Sequence, residues 1–191
     1  MQPDSYWVHM ANAQVQESLG RYDLAQQEYR EAIALDSGGI GAHYGLGRAI
    51  LNGPRDPHAI DEAAREFERE LAIAPANATA EFELGEIARE RGQLEAARDH
   101  FLKAVRYNPD LFEAQIGLAR LLLKQGSPRD ALSHLELAAR LEPGDTLPHY
   151  LLASAYKSLG DPAGAGRELD VYRKLRASGG PAAADEQQKE P

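Results

Sequence analysis

Residues 78–111 read ATAEFELGEIARERGQLEAARDHFLKAVRYNPDL, and this stretch decides the fold. Its first half puts Phe82, Leu84, Ile87 and Ala88 at helical spacing, and its second half does the same with Ala97, Phe101, Ala104 and Val105. Gly92 between the halves suits the left-handed backbone that closes a helix, because a residue without Cβ adopts positive φ at no steric cost. Pro109 lacks an N–H and stops the second helix. The stretch predicts two antiparallel helices of about 12–14 residues each, joined by a short turn.

The same residues return at a fixed interval. Pro75, Pro109 and Pro143 lie 34 apart, as do Leu84, Leu118 and Leu152, and Gly92, Gly126 and Gly160. One interval of 38 aligns Leu46 and Gly47 with Leu84 and Gly85, and the series extends back to Gly20, Ala25, Tyr29 and Ala32. A fixed period of this length is the mark of a repeat architecture. Five repeats are assigned, at 6–39, 40–77, 78–111, 112–145 and 146–177, after an N-terminal extension 1–5. The four additional residues of the second repeat fall in Asn52–His58, where two prolines and an Asn-Gly pair predict a turn. Residues 178–191 are small and polar and read as a disordered tail. No segment alternates as a strand does, so the fold class is all-α.

The chain has 191 residues, and 30 acids against 21 bases give a net charge of -9. Phosphate binding needs cations, so nucleic acid is not an expected partner. No cysteine is present, which excludes disulfides, thiolate zinc sites and thiol nucleophiles. No run approaches the roughly 18 apolar residues of a membrane span. The N-terminus shows no basic region followed by an apolar run, and the expected location is cytoplasmic.

Taken together, the Leu84-Gly85 pair, Ala97 and Phe101 four apart, Ala104 and Pro109 resemble the tetratricopeptide repeat. The family's tryptophan on the first helix is replaced throughout, by His9, His43, Glu81, Gln115 and His149. The resemblance implies a right-handed α-solenoid whose first helices line a concave groove that holds a protein or peptide partner. Mapped onto this chain, the groove residues would be Met10, Gln14, Tyr44, Arg48, Phe82, Glu86, Ile116, Arg120, Lys124, Tyr150 and Lys157. Met10, Tyr44, Phe82, Ile116 and Tyr150 form a register-matched apolar row, read either as contact residues or as support between helices. Arg120, Lys124 and Lys157 form a basic cluster suited to an acidic segment or a terminal carboxylate, or else an ordinary solvated face. Trp7 is read as a staple for the first helix or as a contact residue. The two-carboxylate clamp of co-chaperone members is not expected: of its places, Met10, Gln14, Gly45, Thr79 and Glu83, only Gln14 carries a suitable group. An alternative function is assembly through the ends or the convex face, including a homo-oligomer formed through the exposed terminal repeat.

Catalytic and metal chemistry find little support in the sequence. Three of the six histidines recur at one repeat position, too far apart to share a metal, and are expected to pack. Glu62, Glu66 and Glu70 stand four apart with Arg65 and Arg69 between them, which reads as a solvated face. Gly38, Gly39, Gly41, Gly45 and Gly47 lack the Lys-Ser/Thr of a phosphate loop and are expected at a repeat junction with close helix packing. The expectation is a non-enzyme without cofactor or metal.

Overall fold

A computed structural model describes residues 5–54 and 56–179. The expected extension apart from Ser5, and the expected tail beyond Gly179, lie outside them. Among the described residues there are ten helices and no strand. They form five pairs: α1 (Tyr6–Ser18) with α2 (Tyr22–Leu35), α3 (Ala42–Asn52) with α4 (Ala59–Ile73), and α5 (Ala78–Glu90) with α6 (Leu94–Tyr107). The last two are α7 (Phe112–Lys124) with α8 (Pro128–Leu141), and α9 (Leu147–Ser158) with α10 (Pro162–Ala177). The chain divides into two compact units, Met1–Tyr107 and Asn108–Pro191. Within the first, each helix from α1 to α6 packs on the next, and within the second the same holds from α7 to α10.

Four of the five turns inside a pair are built alike. Gly20, Gly92, Gly126 and Gly160 have φ between 68 and 76°. The N–H after each glycine then turns back to the helix: Gln93 donates to the Ala88 carbonyl at 2.9 Å, and Gly92 to that of Arg89 at 3.0 Å. Carbonyls that the helix leaves without partners are thereby satisfied. The α3–α4 turn differs. Gly53 is extended, at φ -77° and ψ -170°; its N–H donates to the Ile50 carbonyl at 3.3 Å, and Gln26 of α2 donates to the Ala49 carbonyl at 3.1 Å.

Helices approach closely because one partner is small. Ala25, Ala63, Ala97 and Ala131 have no exposed surface. A Cβ added to Gly85 would sit 2.6 Å from the Phe101 ring, and one on Gly47 would sit 2.6 Å from that of Phe67. The aromatic ring fills the space that the glycine leaves, which is the expected close packing.

Each pair is also latched by one polar contact at the place of the missing tryptophan. His9 meets Glu28 at 2.7 Å, His43 meets Glu66 at 2.6 Å, and His149 meets Glu168 at 2.7 Å. In the third and fourth pairs the partners exchange helices: Glu81 of α5 meets His100 at 2.6 Å, and Gln115 of α7 meets His134 at 2.7 Å. The histidines therefore do pack, but as half of an interhelical hydrogen bond.

The solvated face expected for Glu66 and Glu70 is corrected. Glu66 is 5% exposed and Glu70 has no exposed surface. Glu66 receives His43 and Arg69, while Glu70 accepts the N–H groups of Gly41 at 2.9 Å and Tyr44 at 3.2 Å and the side-chain amide of Asn77 at 3.2 Å. The N-terminus of a helix leaves N–H groups unpaired and carries partial positive charge, so a carboxylate from α4 is a fitting cap for α3.

Candidate functional site

In the first unit, the expected groove residues stand on α1, α3 and α5. Met10 is buried at 9% exposure, because the start of α3 closes over it: a Cβ on Gly41 would lie 3.6 Å from its methyl group. Met10 therefore supports the second pair and offers little contact surface. Tyr44 and Phe82 are half-buried, their rings 5.8 Å from Phe67 and 6.0 Å from Phe101. Burial raises the Tyr44 pKa, with hydrogen bonding to Thr79 acting against it. Each ring belongs partly to the core of its own pair.

The polar members are more accessible. Gln14 and Arg48 are exposed, and the Arg48 guanidinium lies 5.9 Å from the centre of the Tyr44 ring, within cation–π range. Glu86 is bound by Arg89 of the same helix, Nη2 to Oε2 at 2.6 Å and Nε to Oε2 at 3.1 Å. That hydrogen bonding is the chief cause of the raised Arg89 pKa. With Glu17, Glu83 and Glu90 also on these three helices, their charge is predominantly acidic.

In the second unit the balance is reversed. Ile116 is buried at 6% exposure and belongs to the core, so it too is removed from the accessible row. Arg120, Lys124, Tyr150 and Lys157 are exposed. Helices α7 and α9 touch, α9 bears no acid, and Glu113 is the one acid on α7. Of the five residues expected as an apolar row, only Tyr150 is exposed, at 43%, with its ring 5.9 Å from that of Tyr172.

Other concavities lie elsewhere. A cavity of about 490 Å³ opens beside the α1–α2 and α3–α4 turns, lined by residues including Tyr22, Leu24, Asn52 and Pro54, and none of the expected groove residues borders it. Among the described residues, no three His, Asp or Glu side chains gather as a metal would require, and no helix is long and apolar enough to cross a membrane.

Comparison with known proteins fits this architecture. Family models described as tetratricopeptide repeat match residues 10–66 and 122–185, and one described as TPR repeat matches 85–126. A curated relative, DnaJ homolog subfamily C member 3 of Mus musculus, is 27% identical over 174 residues, which cover 83% of this chain and 34% of the relative. The chain thus spans about a third of that protein's length. Among solved structures, MamA 41-end from Desulfovibrio magneticus RS-1 has a TM-score of 0.74 at 17% identity, covering 92% of this chain and 97% of that one. YrrB, a TPR protein with an unusual peptide-binding site, has a TM-score of 0.69 at 22% identity, covering 92% of this chain and 89% of its own. At these identities the likeness is one of fold. Five helix pairs in tandem, glycine-closed turns and three matching family models lead to one conclusion: the chain belongs to the tetratricopeptide repeat family.

Proposed function

We propose that this protein-interaction module captures an acidic segment of a partner protein on the α7 and α9 face of its C-terminal unit. The observation that carries this reading is a charge imbalance: Arg120, Lys124 and Lys157 are exposed there beside a single acid, Glu113, in a chain of net charge -9. Lys124 and Lys157 have no ion pair among the described residues. An ammonium group held in water by its own protein is ready to pair with an incoming carboxylate, and Tyr150 gives the segment an apolar surface to lie on. On the first unit, by contrast, Arg48 lies over Tyr44 and Glu86 is bound to Arg89, and acids predominate. Binding rather than catalysis is what such a face offers, and YrrB provides a precedent for peptide binding on this fold.

The test is fluorescence anisotropy with a labelled peptide that alternates leucine with aspartate and glutamate, against the intact chain and a Lys124→Glu/Lys157→Glu variant. The wild type should bind with an affinity that falls as salt rises, and the variant should lose at least about tenfold. Equal binding by both proteins would remove this face from the function.

A further inference from the structure

Trp7, Ala11 and Val15 on α1 and its C-cap Leu19 stand four apart. One repeat later the same places hold Gly41, Gly45, Ala49 and Gly53, and that column is where the second pair rests on the first. Besides the Gly41–Met10 approach, a Cβ on Gly45 would fall 2.3 Å from the Tyr29 ring, and Gln26 donates to the Ala49 carbonyl. Ala49 has no exposed surface, whereas Trp7 is 72% exposed, Val15 54% and Leu19 57%. The α1 column is therefore in the register of an inter-repeat contact and is exposed.

A face in the complementary register is partly exposed on α9 and α10. Met10, Gln26 and Tyr29, which receive the second pair, correspond by repeat to Tyr150, Gly166 and Leu169. Tyr150 is 43% exposed where Met10 is 9%. A Cβ on Gly166 would meet nothing within 4 Å, so the space is open where the first pair has a glutamine side chain. Sizes are complementary at two of the three places: Ala11 stands for Gly45 where Leu169 stands for Tyr29, and Val15 and Leu19 stand for Ala49 and Gly53 where Gly166 stands for Gln26, while Trp7 would meet the exposed ring of Tyr150. Charge agrees as well. Residues 6–39 hold five acids against two arginines, and residues 146–177 hold five cations against three acids.

We propose that the α1 column of one copy docks on the α9–α10 face of a second copy, extending the repeat stack between molecules. Each copy has one such head and one such tail, so the interface is heterologous and copies add until the rotation closes or the concentration limits growth. Asn12 stands where internal repeats have Leu46 or Leu84, and Arg173 stands where the first has Ile33. These polar residues make the contact weaker than an internal one and the association reversible.

Sedimentation equilibrium of the intact chain from micromolar to millimolar concentration tests this, with circular dichroism confirming that every variant is helical. The mass-average should rise with concentration and fall with added salt. Trp7→Glu blocks the head and Gly166→Glu blocks the tail, and each alone should weaken association on the order of thirtyfold. Mixed together, the two variants retain one open tail and one open head, and should form dimers and nothing larger. A wild type that stays monomeric throughout overturns the proposal, as does a Trp7→Glu variant that associates normally or a mixture that forms no dimer. Tyr150 belongs to both faces, but none of these changes touches Arg120, Lys124 or Lys157, so Trp7→Glu, which lies on α1, separates a failure of self-association from a failure of acidic-segment binding.

Discussion

The latch between His43 and Glu66 offers the most exacting test of how these helix pairs hold together. Its side chains are 9% and 6% exposed, and Nδ1 and Oε2 are 2.6 Å apart. Replacing either residue by alanine removes a charge-assisted hydrogen bond and leaves its partner buried, which costs about 2–3 kcal/mol. For a chain of this size that corresponds to a fall in Tm of about 4–12 °C, at roughly 2–4 °C per kcal/mol. The third pair carries the same contact reversed, with Glu81 on the first helix and His100 on the second, also at 2.6 Å. Even the accompanying cation keeps its place: Arg69, which binds Glu66, corresponds to Lys103, which reaches Glu81 at 3.4 Å. The exchanged double variant His43→Glu/Glu66→His should therefore recover most of the loss and come within about 1 kcal/mol of the wild type. Thermal and urea unfolding followed by circular dichroism measure all four proteins. An exchanged variant no more stable than the worse single variant would refute the idea that the latch is indifferent to direction.

Three further outcomes follow from the packing. Gly85→Ala should destabilise by about 1–3 kcal/mol, since the methyl group would enter the Phe101 ring, whereas Gly166→Ala should be neutral or stabilising in the same urea titration. Glu70→Ala should cost about 3 kcal/mol and expose the amides of Gly41 and Tyr44 to hydrogen exchange, because their fully buried acceptor is gone. His134 is the one latch histidine facing an amide, and burial lowers its pKa below the ordinary value. The unfolded chain then takes up a proton that the folded chain resists, so this residue's contribution is intact at neutral pH and declines as pH falls below about 6.5. His134→Gln should flatten that part of the urea midpoint against pH; an unchanged difference from wild type across pH 7 to 5 would contradict it.

Most of the fold was legible because the period is written in residues with backbone duties. Glycine at the turn and alanine under a ring cannot be replaced freely, so they recur in step and disclose five helix pairs. The latch was legible only in part. Glu66 and Glu70 lie four apart beside Arg65 and Arg69, and a run of alternating charges looks the same whichever face turns inward. The available signal was the constant separation of 19 residues between His9 and Glu28, Glu81 and His100, and His149 and Glu168. The division after Tyr107 was not legible, since the period runs through it unchanged. At the candidate site, register placed the residues on the first helices but could not tell contact from support. Met10 and Ile116 share that register with Tyr150 and are nevertheless core residues, because burial depends on neighbours in space.

The reversible direction of the latch also limits how such a chain can be recombined. Joining α3 to α6 would set His43 against His100, and joining α5 to α4 would bury Glu81 against Glu66. The first graft leaves two imidazoles facing each other without a carboxylate, and the second leaves two carboxylates to share the one cation, Arg69. Crossovers within a repeat are therefore penalised between the third pair and its neighbour, while crossovers between repeats leave every latch whole. Between pairs of opposite latch direction the hairpin, rather than the helix, is the smallest piece that can be exchanged without repairing the latch.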